Sequence, residues 1–230
     1  MTHPVVRAIR AALAAQADPV RAHGMQAYMK STMPFRGVNA PVQRRVWREV
    51  FAAHTIDSCQ DLRAAAGDLW RGARFREERY AAIGLTDLRR YARCQTPAAV
   101  PLYEEMIVTG AWWDYVDVLA SHHLGAILRT HAGGMKPMMR RWARARDSMW
   151  KRRAAILCQL RFKADTDLAL LYDCIEPNLS HPDFFIRKGI GWALRQYAWT
   201  NPHEVRKYVE QHSGQLSALS VREALRNVGR

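Results

Sequence analysis

The chain has 230 residues, of which 49% are hydrophobic, so a disordered protein is excluded and a packed core is expected. Its net charge of +14 and isoelectric point of about 10.2 favour a polyanionic partner and leave DNA, RNA and an anionic membrane surface as alternatives. Arginine outnumbers lysine 29 to 6, so a generally arginine-rich composition is the other explanation of this charge.

The first twenty residues are predicted to form an amphipathic helix rather than a targeting segment. Their apolar stretch is too short for the core of a signal peptide. No window along the chain approaches the roughly 20 apolar residues that a membrane-spanning helix needs. The sequence therefore predicts a protein without a membrane partner, and its scattered cysteines fit a reducing cytoplasm.

Helix-start signals recur along the whole chain. An N-cap side chain followed by proline, which costs the first helical turn no hydrogen bond, is found at Asp18-Pro19, Thr96-Pro97 and Asn201-Pro202, and more loosely at Asn39 and Pro41. Ser220 and Glu223 have the spacing of a capping box. The segments between these signals have helical apolar periodicity, and hairpin turn signatures are absent.

We therefore predict an all-α protein of some twelve helices, arranged as an α-solenoid of antiparallel HEAT-like helix pairs. Apolar residues fall on one helical face in two clear cases, which are Leu102, Met106 and Ile107, and Ile156, Leu157 and Leu160. The repeat is blurred, so the prediction depends on helix length and not on a repeated motif. No linker composition interrupts the chain, and residues 1–230 are predicted to form one domain.

The cysteines and histidines show no metal-binding spacing. Four scattered cysteines (Cys59, Cys94, Cys158 and Cys174) include no CxxC pair, and no HExxH is present. We expect buried, reduced thiols, no disulfide, and no metal or other cofactor. Walker, GxGxxG and GxSxG motifs are also absent, so any chemistry must come from a less regular arrangement.

An unusual pair of adjacent tryptophans precedes a carboxylate. Trp113 and Asp117 are four residues apart, so on a helix they share a face, one turn apart. An indole beside a carboxylate attracts cations, which makes this pair a candidate cation site. The alternative is that Trp112 and Trp113 both belong to the core and that Asp117 is a surface charge or a helix cap.

Two later segments combine basic side chains with features of a binding site. Lys151, Arg152 and Arg153 lie near a helix start, where side chains and free backbone N–H groups can hold phosphates together. A solvated charged face is the alternative. Further on, Trp192 and Arg195 share a helix face, and Gly189 and Gly191 allow a backbone or ligand to approach closely.

Five segments, in the same order along the chain, resemble the bacterial DNA alkylation repair enzymes of the AlkD type. They are AYMKSTMPFRGVNAPVQRR (27–45), WWDYVD (112–117), KRRAAIL (151–157), IRKGIGWALRQYAWTNP (186–202) and LSVREAL (219–225). The resemblance implies HEAT-like helix pairs that form a concave, basic groove for duplex DNA. It also implies an alkylpurine DNA glycosylase that hydrolyses the N-glycosidic bond of purines alkylated at N3 or N7.

The resemblance also implies roles for individual residues. Trp113, Asp117 and Trp192 would line the lesion as the catalytic group, and Asp117 would stabilise the oxocarbenium-like sugar and orient water. The base would largely stay in the stack, unlike in most base-modifying enzymes. The residues expected on DNA are Tyr28, Lys151, Arg152, Arg153 and Arg195, with the two last on phosphates.

The expected partner is double-stranded DNA containing alkylated purines, bound by a monomer. A noncatalytic solenoid that recognises alkylated or distorted duplex is the alternative function. Such a protein would tolerate the loss of Asp117, so the presence of Asp117 beside Trp113 and Trp192 favours the enzyme. A protein-binding scaffold is a third possibility and would require an apolar concave face. Basic clusters at Arg44-Arg45 and Arg140-Arg141 favour a polyanion instead.

Overall fold

The computed structural model describes residues 3–228, and all regular structure in this range is helical. The predicted all-α solenoid class is confirmed, with fourteen α-helices in the described range where the sequence indicated about twelve. The chain divides into two compact units, of which the first ends at Cys94 and the second begins at Gln95. The prediction of one domain stays a prediction. None of the described helices is long and apolar enough to cross a bilayer.

The first unit packs its helices around the predicted N-terminal amphipathic helix. Val5, Val6, Ile9 and Leu13 of α1 are fully buried at helical spacing, and α1 packs against α3, α4 and α5. The helices of this unit are α1 (Pro4–Ala14), α2 (Pro19–Met29), α3 (Ala40–Ala53), α4 (Cys59–Arg71), α5 (Arg76–Thr86) and a 3₁₀ helix (Arg89–Cys94).

A buried carboxylate fixes the turn that leads into α3. Glu77 is fully buried and accepts hydrogen bonds from the backbone N–H groups of Arg36, Gly37 and Val38, at 2.9–3.1 Å. Glu78 beside it pairs with the Arg36 guanidinium at 2.8 Å. Gly37 has a φ of +82°, a left-handed conformation that suits glycine. The PFRGVN part of the first matching segment therefore takes its shape from acidic residues some 40 positions later.

The prediction that the cysteines form no disulfide is wrong for one pair. Cys59, at the start of α4, is bonded to Cys94, at the end of the 3₁₀ helix, and their Cα atoms are 5.3 Å apart. Spacing along the sequence could not predict this bond, because tertiary packing of the first unit brings the two residues together. Cys158 and Cys174 are buried thiols, as expected.

Reduction of this disulfide is expected to destabilise the protein. The bond closes a loop of 35 residues, for which lost chain entropy in the unfolded state corresponds to about 3–4 kcal/mol. Urea unfolding with and without dithiothreitol measures the difference. The Cys59→Ser/Cys94→Ser variant should match the reduced protein and should not respond to dithiothreitol. Titration of four thiols in the unreduced, denatured protein would contradict the bond.

The second unit contains every helix from Gln95 onwards. Within it α10 packs against α6, α7, α9, α11 and α12, and α12 packs in turn against α13 and α14. Its α-helices are α6 (Val100–Gly110), α7 (Trp113–Val118), α8 (Gly125–Thr130), α9 (Ala132–Trp142), α10 (Met149–Leu157), α11 (Leu168–Ile175), α12 (Phe184–Ala198), α13 (Pro202–Gln211) and α14 (Ala218–Ala224). A π-helical turn (Leu119–Leu124) joins α7 to α8, and the 3₁₀ helices are Pro97–Ala99, Lys163–Asp165, Glu176–Asn178 and Leu225–Asn227.

Most of the predicted helix starts are confirmed. The side chains of Asp18, Asn39 and Asn201 each accept a backbone N–H in the first turn of the helix that follows. Thr96 precedes a 3₁₀ helix, and its side chain makes no cap hydrogen bond. The capping box at Ser220 is wrong, because α14 already begins at Ala218 and Ser217 is its N-cap.

Candidate active site

A sharp turn between α6 and α7 presents the tryptophan pair. Ala111 ends α6 in a left-handed conformation with φ of 43°, and Trp112 is extended, so the chain reverses before α7 begins at Trp113. The predicted helical relation of Trp113 and Asp117 is confirmed, since both lie in α7. The Ser121 hydroxyl in the π-helical turn donates to the Asp117 carbonyl at 2.6 Å. Irregular backbone thus lies on both sides of this short helix.

Asp117 and Arg153 form a forked ion pair between α7 and α10. Arg153 Nε donates to Asp117 Oδ1 at 2.7 Å, and Arg153 Nη2 donates to Oδ2 at 2.8 Å. The Asp117 side chain is only 13% exposed, and that of Arg153 only 4%. Both carboxylate oxygens are therefore held in one orientation by a charge that is itself almost fully buried.

Arg153 is also held from α12. Its Nη1 donates to the Phe185 carbonyl, and a Cβ on Gly189 would lie 3.1 Å from the same nitrogen. Gly189 thus leaves room for the guanidinium, which fits the prediction that the glycines of this helix allow close approach. All three nitrogens of the guanidinium bind protein atoms, so Arg153 supports Asp117 from within the protein. Its predicted contact with a phosphate stays a prediction.

Burial and the neighbouring charges shift the pKa of Asp117 in opposite directions. Burial raises the pKa of its carboxyl above the ordinary value, and the hydrogen bonds and charge of Arg153 oppose this increase. The charge of Asp114 on the same helix adds to the increase in the pKa. Arg153 is therefore the group that favours the ionised carboxylate at this position.

The two adjacent tryptophans have different surroundings. Trp112 packs against Phe185 and Trp150, with ring centroids 5.3 and 6.2 Å apart, and the rings of Trp150 and Phe185 are 5.2 Å apart. This aromatic cluster joins the starts of α7, α10 and α12. Trp112, Trp113 and Trp192 are all half-buried. The alternative that the tryptophans belong to the core is therefore supported by the aromatic contacts of Trp112, and burial does not distinguish the two residues.

Glu223 of α14 binds the cations on either side of Trp192. Lys188 Nζ lies 2.8 Å from Glu223 Oε1, and Arg195 Nη1 lies 2.6 Å from Oε2. The hydrogen bond from Lys188 holds the pKa of Glu223 below its ordinary value. Because each cation gives one N–H to Glu223 and stays partly exposed, its other donors remain for a phosphate. The predicted DNA contact of Arg195 is untested and is compatible with this arrangement.

Gly191 allows α14 to approach α12. A Cβ at this position would lie 2.5 Å from Glu223 Cβ and 2.8 Å from the Ser220 carbonyl oxygen. We expect Gly191→Ala to lower the free energy of unfolding by about 1–3 kcal/mol through overpacking, as measured by urea denaturation. Gly133→Ala is the matched control, since its Cβ would meet open space within α9 and should stabilise that helix slightly. Equal stability of the two variants would contradict the close approach.

Lys151 and Arg152 bind protein groups at the start of α10. Lys151 Nζ pairs with Asp147 at 2.7 Å and with Glu104 at 2.8 Å, and these hydrogen bonds raise its pKa. Arg152 donates to the Ala145 carbonyl and to Asn178 Oδ1, at 2.6 and 3.0 Å. Arg152 thereby joins the loop before α10 to the 3₁₀ helix Glu176–Asn178. The DNA contacts of both side chains stay predictions.

Tyr28 belongs to the first unit, on α2, and its side chain is 77% exposed. The other predicted site residues lie in the second unit, where the structure brings together Asp117 and Arg153. Among the described residues, no group of three histidine, cysteine, aspartate or glutamate side chains is arranged to hold a metal ion. The expectation of a cofactor-free protein stays a prediction.

Sequence reasoning missed three residues of this region, which are Glu223, Phe185 and Trp150. The sequence pattern predicts a capping-box role for Glu223, whereas its partners Lys188 and Arg195 are 35 and 28 residues away. Phe185 and Trp150 carried no signal beyond their aromatic character. Only the packing of α10, α12 and α14 shows that these side chains support the predicted site residues.

Comparison with known proteins gives a consistent result. Residues 9–228 match the family described as DNA alkylation repair enzyme. The fold is similar to the solved structure of a predicted DNA alkylation repair enzyme from Enterococcus faecalis, with a TM-score of 0.83 and 29% sequence identity. That similarity covers 94% of this chain and 98% of the Enterococcus faecalis chain. No curated protein matches the sequence.

Proposed function

The chain belongs to the DNA alkylation repair enzymes, and we propose that within this family it is a DNA glycosylase for cationic purines alkylated at N3 or N7. The proposed substrate is duplex DNA that contains such a lesion, and the products are the free alkylpurine and an abasic site. We further propose that the protein works as a monomer, without a cofactor and in the cytoplasm, a compartment in which the Cys59–Cys94 bond would be subject to reduction.

The observation that carries this proposal is the oriented carboxylate of Asp117. It is mostly buried, both of its oxygens accept from Arg153, and it lies one helical turn after Trp113. A fixed carboxylate in a site of low polarity stabilises positive charge strongly, because it needs no reorganisation when the charge develops. A noncatalytic DNA-binding protein has no need for a buried negative charge beside a polyanion.

The proposed reaction uses the charge of the lesion itself. As the bond between C1′ and the purine nitrogen breaks, its electron pair goes to the cationic ring, which leaves as a neutral base without a general acid. Positive charge develops on the deoxyribose, and Asp117 stabilises it. Water then adds to C1′ and releases its proton to Asp117 or to solvent. Neutral lesions should react poorly, because their leaving group is not activated.

The other site residues position the duplex and the lesion. Trp113 and Trp192 are half-buried and flank the sugar and the lesion, where each contributes about 0.5–2 kcal/mol through cation–π contact. Tyr28 and three basic residues bind the DNA backbone, namely Lys151, Arg152 and Arg195. As the resemblance to the AlkD-type enzymes implies, we propose that the lesion is approached from the backbone and that the base largely stays in the stack.

Release of free base from defined duplexes tests the proposal. A duplex with one 7-methylguanine is incubated with excess protein, and the free base is measured over time by chromatography. We expect first-order release, no release of unmodified guanine, and little release of a neutral lesion such as hypoxanthine. Tight, salt-sensitive binding of the alkylated duplex without release of base would contradict the glycosylase and support the noncatalytic DNA-binding protein.

A further inference from the structure

One face of α12 carries aromatic and basic side chains in alternation. Lys188, Trp192, Arg195 and Trp199 follow one another at spacings of four, three and four residues, which places them in one stripe along the helix. The opposite face of the helix is buried, with Ile186, Ile190 and Leu194 fully enclosed. The stripe is therefore the face that α12 presents outward.

Trp199 is the last residue of this stripe and the most exposed tryptophan that the structure describes. Its side chain is 64% exposed, whereas Trp192 is half-buried. Its backbone is helical, with φ of −66° and ψ of −22°, and the next two N–H groups bind the Tyr197 carbonyl. The indole is thus exposed on a rigid backbone, although a large aromatic side chain is usually buried in a stable protein.

We propose that Trp199 is a second aromatic DNA contact that packs its indole against a deoxyribose of the strand flanking the lesion. This inference rests on the proposed function only for the position of the lesion at Trp192. Seven residues of helix span roughly 10 Å, which corresponds to about three steps of B-form DNA. Trp199 therefore contacts a nucleotide no more than about three positions from the lesion.

The charges of the stripe favour DNA over a protein partner. Arg195 lies between the two tryptophans along the stripe, and Lys188 lies one turn before Trp192. Glu223 orients both cations from one side. When Arg195 binds a phosphate, the deoxyribose attached to that phosphate comes within reach of the Trp199 indole, one turn further along the helix. Aromatic faces bind nucleotides without sequence preference, so this contact adds affinity rather than specificity.

Binding and chemistry are measured separately to test this contact. The dissociation constant is measured by fluorescence anisotropy with a duplex that contains a central tetrahydrofuran abasic site. The rate of base release is measured under single-turnover conditions, with a 7-methylguanine duplex and saturating protein. We expect Trp199→Ala to raise the dissociation constant about 5- to 50-fold and to leave the saturated rate unchanged. Trp199→Phe should restore binding to within about threefold, because a phenyl ring keeps most of the stacking surface.

Val108→Ala is the matched control, since it also truncates an exposed apolar side chain and should leave binding unchanged. In hydroxyl-radical footprinting, the DNA bound by Trp199→Ala should be less protected than with the wild type, on one side of the lesion only. An unchanged dissociation constant and footprint would overturn the contact, as would a dimer in sedimentation that Trp199→Ala dissociates. If the wild type releases no base while Trp199→Ala still weakens binding, the glycosylase fails and the contact stands.

Discussion

Replacement of Asp117 by asparagine should slow single-turnover release of 7-methylguanine about 100- to 1,000-fold. The amide keeps the size of the carboxylate and removes its charge, so stabilisation of the positively charged sugar is lost while the shape of the site is retained. Binding to a duplex with a tetrahydrofuran abasic site should stay within about threefold of the wild type, because phosphate contacts supply most of the affinity.

Asp114→Asn provides a matched control on the same helix. Asp114 accepts the N–H of Tyr115 at 3.0 Å, whereas the three guanidinium nitrogens of Arg153 donate to Asp117 and to the Phe185 carbonyl. At a pH well above the pKa of Asp117, this variant should release base at nearly the wild-type rate. Similar rates for Asp117→Asn and the wild type would show that the developing charge is stabilised elsewhere, and the proposed mechanism would then be abandoned.

Local features of the fold were predictable from the sequence because their causes are local. Asp18, Asn39 and Asn201 cap helices through bonds to backbone groups three residues away. Likewise, the apolar periodicity of α6 and α10 predicted buried residues such as Met106 and Ile156. The relation of Trp113 and Asp117 followed from helical geometry alone.

Contacts between distant parts of the chain were not predictable in this way. The bond between Cys59 and Cys94, and the pairing of Arg153 with Asp117, each join residues 35 or 36 positions apart. A basic cluster in the sequence therefore predicted phosphate contacts for Arg153 without indicating its buried partner. The packing of α7, α10, α12 and α14 against one another in the second unit determines which arginines are exposed.

Burial separates the predicted basic residues into two groups with different expected roles. Arg195 stays partly exposed and gives only one N–H to Glu223, whereas Arg153 is 4% exposed and binds three protein acceptors. A phosphate can replace water at Arg195 without breaking a contact. At Arg153 it would have to break the ion pair that orients Asp117. We therefore assign Arg153 the positioning of Asp117.

Arg153→Met should lower the free energy of unfolding by about 3–5 kcal/mol, because it leaves the Asp117 carboxylate buried without a partner. Urea denaturation measures this loss. The double variant Asp117→Asn/Arg153→Met should regain part of the stability, since the unpaired charge is then absent. Purely additive losses in this cycle would contradict an energetic coupling between the two side chains.

The pH dependence of base release distinguishes positioning by Arg153 from phosphate binding. Release requires the ionised carboxylate, so activity is lost as the pH falls through the pKa of Asp117, which burial raises above its ordinary value. Because Arg153 opposes that increase, Arg153→Lys, which keeps a charge but loses the fork, should move the acid limb of the single-turnover pH profile to higher pH. An arginine that only bound phosphate would leave the acid limb in place. Its loss would instead weaken DNA binding and reduce the salt slope by about one.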